Sequence, residues 1–333
     1  MSEQPVIYMN GDYVPLSKAK ISILDQGFLL GDGVFDVVSA WKGVIYKLDA
    51  HIERLFQSLQ AAMLNTSLSH DDWRLAIIET MRRNSFRDAT IRFIVTRGVS
   101  SKVVADPREF EPTIIIWPAP YIFLADEKKR AEGIRLFISH LRAFAPDTLD
   151  PRYKCLDRLH FQLAKIEALD AGCDDVIWLA QGGHVAEGPA SNLFMAKGGK
   201  VYTPGEGVLR GITRQAFIEI AAEAGIECIE ANLTPFDLYS ADELFTCSTA
   251  GGALAVRVHR ASDDARLYES TLYWHMRTDE IATHAAEEEA WRTKIRNGEA
   301  FGAHPLFCFA STSKGDDHRL RAGGKDIGMA GEQ

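Results

Sequence analysis

The chain has 333 residues, 46% of them hydrophobic and 25% charged, with a formal net charge of −9. That acidic balance argues against non-specific binding to nucleic acid or to an anionic membrane, and no apolar run approaches the length of a bilayer span. The length exceeds that of a usual single core, so two domains are expected. Five cysteines, odd in number and without a CxxC pair, read as free thiols of a reducing compartment. The first fifteen residues carry neither a basic n-region nor an apolar run, so no secretory signal is expected and the cytoplasm is the expected location.

In chain order, strands are expected at 6–9 and 13–14 around the hairpin signal Asn10-Gly11, then at 34–41 and 44–47 around Lys42-Gly43. Helical periodicity covers 51–63 and 70–84, and β-rich runs follow at 90–96 and 113–117. Segment 121–133 turns charged after a Pro-containing run and marks the junction. Strands at 135–141, 176–179, 192–196 and 243–247 then alternate with helices at 156–171 and 213–224, and a further helix is expected at 280–291. The pattern is α+β (mixed α/β): an N-terminal α/β domain over 1–124, a linker over 125–133, a second domain over 134–310, and a disordered tail over 311–333.

Four segments carry chemistry. Lys154 stands in Asp150-Pro151-Arg152-Tyr153-Lys154-Cys155-Leu156-Asp157-Arg158-Leu159, and Glu187 in Val185-Ala186-Glu187-Gly188-Pro189-Ala190-Ser191-Asn192. Further on come Val208-Leu209-Arg210-Gly211-Ile212-Thr213-Arg214 and Cys247-Ser248-Thr249-Ala250-Gly251-Gly252. Pyridoxal phosphate needs such a set. Its aldehyde is captured by a lysine amine as a Schiff base, and a carboxylate keeps its pyridine nitrogen protonated. Its phosphate suits the unpaired N–H groups at a helix start, where Gly211, Ile212 and Thr213 precede a helical pattern. Thr249 offers a second hydroxyl in a Gly-rich turn after a strand. Taken singly, the lysine reads as a solvated charge, the glutamate as a turn residue and Thr213 as a helix cap. All four in one order change that balance.

The order resembles the class IV aminotransferases, the fold type IV enzymes that include branched-chain, D-amino acid and (R)-selective amine transaminases. The resemblance spans roughly residues 5 to 256 and reaches back through Asp25-Gln26-Gly27-Phe28-Leu29-Leu30-Gly31-Asp32-Gly33-Val34-Phe35-Asp36-Val37-Val38 and Leu48-Asp49-Ala50-His51-Ile52-Glu53-Arg54-Leu55. It implies a two-domain fold like that of D-amino acid aminotransferase, with the site at a homodimer interface. It makes Lys154 the Schiff-base lysine and Glu187 the partner of the pyridine nitrogen. Arg54, Ile212, Thr213 and Thr249 become phosphate contacts, with Gly211 and Ser248 beside them in the cofactor site.

For substrate, Phe35 and Val37 share one face of a strand by the two-residue period, and by analogy they line the pocket with Leu30 and Ala250. The Phe-Glu-Gly strand of branched-chain enzymes is missing here. So is the arginine-histidine pair that D-amino acid transaminases carry after Thr-Arg-Gly, since Val99-Ser100-Ser101-Lys102 follows Thr96-Arg97-Gly98. Phe35-Asp36-Val37-Val38 with Trp41 is most similar to (R)-selective amine transaminases, whereas the segment after Lys154 is more like the branched-chain group.

The expected enzyme is an (R)-selective amine transaminase, which moves an amino group from a primary amine or amino acid to a 2-oxo acid such as pyruvate. Lys102, Arg92 and Arg142 are the candidates for its carboxylate. A branched-chain or D-amino acid aminotransferase, an aminodeoxychorismate lyase of the same fold, and a non-catalytic pyridoxal phosphate binder are the alternatives. A P-loop reading of 205–213 fails because no lysine precedes Thr213. No G-x-S-x-G or H-E-x-x-H occurs, so neither a nucleophile elbow nor a metal site is expected.

Overall fold

The computed structural model describes residues 4–100, 106–121 and 125–258. Lys102, the helix expected at 280–291 and the tail expected at 311–333 lie outside them.

The first sheet has six strands: β1 (Val6–Met9), β2 (Asp12–Pro15), β3 (Gly33–Trp41), β4 (Val44–Ile45), β5 (Ala89–Val99) and β6 (Glu111–Pro120), in the order β2-β1-β6-β5-β3-β4. Every neighbouring pair is antiparallel. Three helices belong to this part: α1 (Gln26–Leu30), α2 (Leu48–Ala61) and α3 (His70–Asn84). Alternation along β3 sends Val34, Val38 and Ala40 into a core with Leu48, Ile52, Leu55 and Leu59 of α2, and leaves Phe35 and Val37 on the other face. Helix α3 opens on a capping box in which Ser69 and Asp72 satisfy each other's backbone N–H.

Helix α4 (Glu127–Glu132) occupies part of the stretch expected as a linker. The second sheet follows with β7 (Ile134–Arg142), α5 (Leu159–Asp170), β8 (Asp175–Leu179), β9 (Asn192–Lys197), β10 (Lys200–Pro204), α6 (Ile212–Glu223), β11 (Cys228–Ala231), α7 (Pro235–Tyr239), β12 (Glu243–Ser248) and β13 (Gly252–Val258). Its seven strands run β11-β10-β9-β12-β13-β7-β8. The β10–β11, β13–β7 and β7–β8 pairs are parallel and the rest antiparallel. Phe161, Ala164 and Ala168 of α5 pack with Val176 and Trp178 of β8, which fixes the helix that follows Lys154.

Contacts beside the site tie the halves together. The edge of β3 opposite β5 pairs with the lysine segment: Phe35 N donates to Lys154 O at 2.9 Å, Leu156 N donates to Gly33 O at 2.9 Å, and Val34 bridges Cys155. A side chain at Gly33 would meet Leu156 Cδ1 at 2.7 Å and Val95 O at 2.8 Å, so only glycine admits both neighbours. Tyr121, just beyond β6, donates its hydroxyl to Ala250 O at 3.2 Å in the turn after β12.

Candidate active site

A cavity of about 440 Å³ opens between the two sheets, lined by Lys154, Glu187, Arg54, Gly211, Ile212, Thr213, Ser248 and Thr249. Phe35, Val37, Arg92 and Ala250 also line it. Leu30 and Arg142 do not. Leu30 ends α1 and is 71% exposed, and Gly31 after it takes the left-handed conformation that closes the helix. Arg142 ends β7 and donates to the carbonyls of Ser139 and His140.

The β3 pairing places Lys154 at the cavity, with Nζ 4.8 Å from the centroid of the Phe35 ring. Burial lowers its pKa to about 8, with Arg54 and Arg158 acting in the same direction and Asp36 and Glu187 opposing. A neutral amine is therefore within reach near neutral pH.

Glu187 follows β8 on a strand-like return: Trp178 N donates to Glu187 O and Ala186 N to Trp178 O. Its carboxylate is buried, and both bonds it accepts go to Oε2, from Asn192 Nδ2 at 3.0 Å and Leu209 N at 3.1 Å. Burial pushes it up to about 7, although the Leu209 N–H and the nearby cations pull it down. It forms no ion pair among the described residues. Such a carboxylate is stabilised by a cation brought to its other oxygen, which is what a protonated pyridine nitrogen supplies.

Gly211 is the N-cap of α6 and, having no side chain, leaves the first N–H groups of the helix without a side-chain cap. A Cβ there would come 2.0 Å from Asn192 Oδ1, so the backbone can approach only as glycine. Thr213 in the first turn and Thr249 after β12 add hydroxyls, and Ser248 Oγ accepts from Gly251 N at 2.9 Å to close the turn. The α6 N-terminus, with its unpaired N–H groups and positive dipole end, is suited to a phosphate dianion.

Arg54 belongs to a buried triad that the sequence reading missed. Asp36, on the core face of β3, is fully buried and takes Arg54 Nε at 2.7 Å and Nη2 at 2.8 Å, while His51 Nδ1 lies 2.8 Å away. Arg54 Nη1 also donates to Arg210 O at 3.2 Å, which aims the guanidinium at the start of α6. Burial opposes ionisation of Asp36, but Arg54 and then His51 outweigh it and hold the carboxyl well below the usual carboxylate range. Burial lowers the pKa of His51, with Asp36 opposing. The available signal was an acid inside an apolar strand together with His51 and Arg54 three residues apart on one helix. Arg158, Ile94, Leu156, Phe161 and Gln162 also line the cavity and were not singled out.

Lysine, orphaned carboxylate, glycine cradle and helix start fit pyridoxal phosphate as a set. The amino-transferase class IV family profile matches residues 33–258. A Methanocaldococcus jannaschii protein with the provisional name branched-chain-amino-acid aminotransferase is 41% identical over 253 residues, 75% of this chain and 86% of that protein. The D-alanine aminotransferase of Bacillus licheniformis is 29% identical over 252 residues, 75% of this chain and 87% of its own. Among solved structures, the branched-chain amino acid aminotransferase of Escherichia coli superimposes with a TM-score of 0.73 at 29% identity, covering 77% of this chain and 86% of that one. Another branched-chain enzyme that superimposes equally well was solved with pyridoxamine 5'-phosphate. The chain therefore belongs to the class IV aminotransferases, fold type IV enzymes that work with pyridoxal phosphate.

Proposed function

We propose that this aminotransferase takes its amino group from an aliphatic amino acid of the branched-chain kind and passes it to a 2-oxo acid such as pyruvate. The cavity wall carries the reading: Phe35, Val37, Ile94, Leu156 and Phe161 suit an aliphatic side chain, while Arg92 and Arg158 suit a carboxylate. A donor lacking a carboxylate, as the (R)-amine reading requires, leaves the half-buried Arg158 without an anionic partner. The relatives named as branched-chain enzymes support the same choice.

When bound, pyridoxal phosphate supplies an aldehyde and an electron-accepting ring. Lys154 would hold the aldehyde carbon and, once freed, carry a proton to and from the substrate Cα, a task suited to an amine whose pKa is near the working pH. Glu187 would hold the pyridine nitrogen in its protonated form, and Asn192 and Leu209 keep that carboxylate in place. Arg54, Ile212, Thr213 and Thr249 would bind the phosphate.

A homodimer is part of the reading. Phe28, Leu29 and Leu30 on α1 and Leu159, Leu163 and Ile166 on α5 are exposed apolar side chains that a second copy would cover. The cytoplasm suits the four free thiols among the described residues, and no described helix is long and apolar enough to cross a membrane.

Half-reactions followed by cofactor absorbance with L-leucine, L-valine, D-alanine and (R)-1-phenylethylamine test the donor. L-Leucine and L-valine are expected to react fastest. A tenfold preference for D-alanine or the amine overturns the reading, as does pyruvate release from aminodeoxychorismate without any acceptor.

A further inference from the structure

Four cations and one carboxylate line the cavity: Arg54, Arg92, Lys154 and Arg158 against Glu187. Arg54 is already matched by Asp36, Lys154 has its chemical role, and Arg92 is exposed to solvent on β5. Arg158 is different. It stands four residues after Lys154 at the start of α5, and its side chain does not cap that helix. Its guanidinium carbon lies 3.3 Å from the centroid of the Phe161 ring and 5.9 Å from that of Phe35, and Nη2 donates to Pro189 O.

Packing on Phe161 fixes the plane of the guanidinium, and the Pro189 carbonyl uses one of its five N–H donors. No carboxylate pairs with it among the described residues. Glu187 acts on it only through space, and burial lowers its pKa further than that charge restores it. Arg158 is half-buried, and a cation partly withdrawn from water without a counter-ion is stabilised when a ligand supplies the anion. Arg158 and Lys154 line one cavity with the Phe35 ring, and the guanidinium is near enough to lower the pKa of the amine that works on the substrate Cα, the atom that bears the carboxylate. A planar fork of N–H donors matches a carboxylate through two parallel bonds.

From this geometry we infer that Arg158 anchors the α-carboxylate of both the amino acid and the 2-oxo acid. The inference rests on the transaminase reading above, and it moves the carboxylate contact away from Arg92, Arg142 and Lys102.

Holoenzymes carrying Arg158→Gln and Arg158→Lys test it. Titration with 4-methylvalerate and with its neutral amide, read from cofactor absorbance, separates charge recognition from packing. For Arg158→Gln, affinity for 4-methylvalerate should fall roughly 10- to 100-fold while that for the amide changes less than about twofold. Arg158→Lys should keep part of the preference. KM for L-leucine and for pyruvate should rise together, with kcat less affected. Equal loss for acid and amide would make Arg158 a packing residue and overturn the inference. So would a shifted cofactor spectrum at unchanged acid affinity, which would assign the guanidinium to the cofactor's phenolate oxygen. A rise in KM for 2-oxoglutarate without one for pyruvate would assign it to a second carboxylate. Failure of the donor reading shows separately, as absent turnover of L-leucine by the unaltered enzyme.

Discussion

Asp36→Asn probes the best-defined electrostatic element of the structure. The substitution keeps the shape of the side chain and removes the charge facing Arg54 and His51, both of which are buried with it. Breaking a buried ion pair from one side costs about 3–5 kcal/mol, because the remaining charge is left without compensation. The asparagine carbonyl can still accept one of the two arginine bonds, which sets the expectation at the lower end, about 3 kcal/mol. Against a urea slope of about 3 kcal/mol per molar, that moves the unfolding midpoint down by about 1 M. The assay is urea unfolding of the apoenzyme, since bound pyridoxal phosphate adds stability of its own and would bring its phosphate to Arg54. Adding Arg54→Met should restore part of the loss, giving a coupling of at least about 2 kcal/mol in the double-mutant cycle. Because the folded-state pKa of Asp36 is depressed, its contribution is complete above the unfolded value of about 4 and fades as pH falls below it. The gap between the native protein and Asp36→Asn should therefore be constant above about pH 5 and shrink in acid. A midpoint shift under about 0.3 M, with strictly additive double-mutant losses, refutes the argument.

Two further outcomes follow from the site. With Lys154 lowered to about 8, association of pyridoxal phosphate with apoenzyme should accelerate roughly tenfold per pH unit below that value and level off above it. A rate that is flat from about pH 6 to 9, or a borohydride label on a lysine other than Lys154, refutes the assignment. Glu187→Gln should retain the cofactor and lose at least about tenfold in turnover, equivalent to about 1.4 kcal/mol of barrier. Unchanged turnover would reduce Glu187 to a turn residue.

The residues legible in the sequence are those whose chemistry is local. Lys154, Glu187, Gly211 and Thr249 each sit in a short segment, and the four segments taken in order fit one ligand, while the longer elements, β3, α2, α3 and α6, show their period. Asp36 was hidden because its role depends on α2 docking against β3, which places His51 and Arg54 opposite it. Reading Phe35 and Val37 as the functional face of the strand drew attention away from the residue between them. Arg158 did not stand out, since nothing local says that the residue opening α5 lines the cavity. The short pieces α1, α4 and β10 carry too few periodic positions to stand out.

The bonds joining Lys154 and Leu156 to the edge of β3 also set an order of events during synthesis. The first sheet is complete in sequence by Pro120, yet the edge of β3 near Gly33 stays unpaired until the ribosome has added residue 156 and that segment has returned to it. Glu187 and Thr213 emerge later still. A nascent chain can thus hold a folded β-structure while having no means to retain the vitamin, and acquisition of colour would report that the two halves have met. Exchanging halves between relatives would meet the same constraint, because a donor segment without a slender residue opposite Leu156 could not seat its lysine.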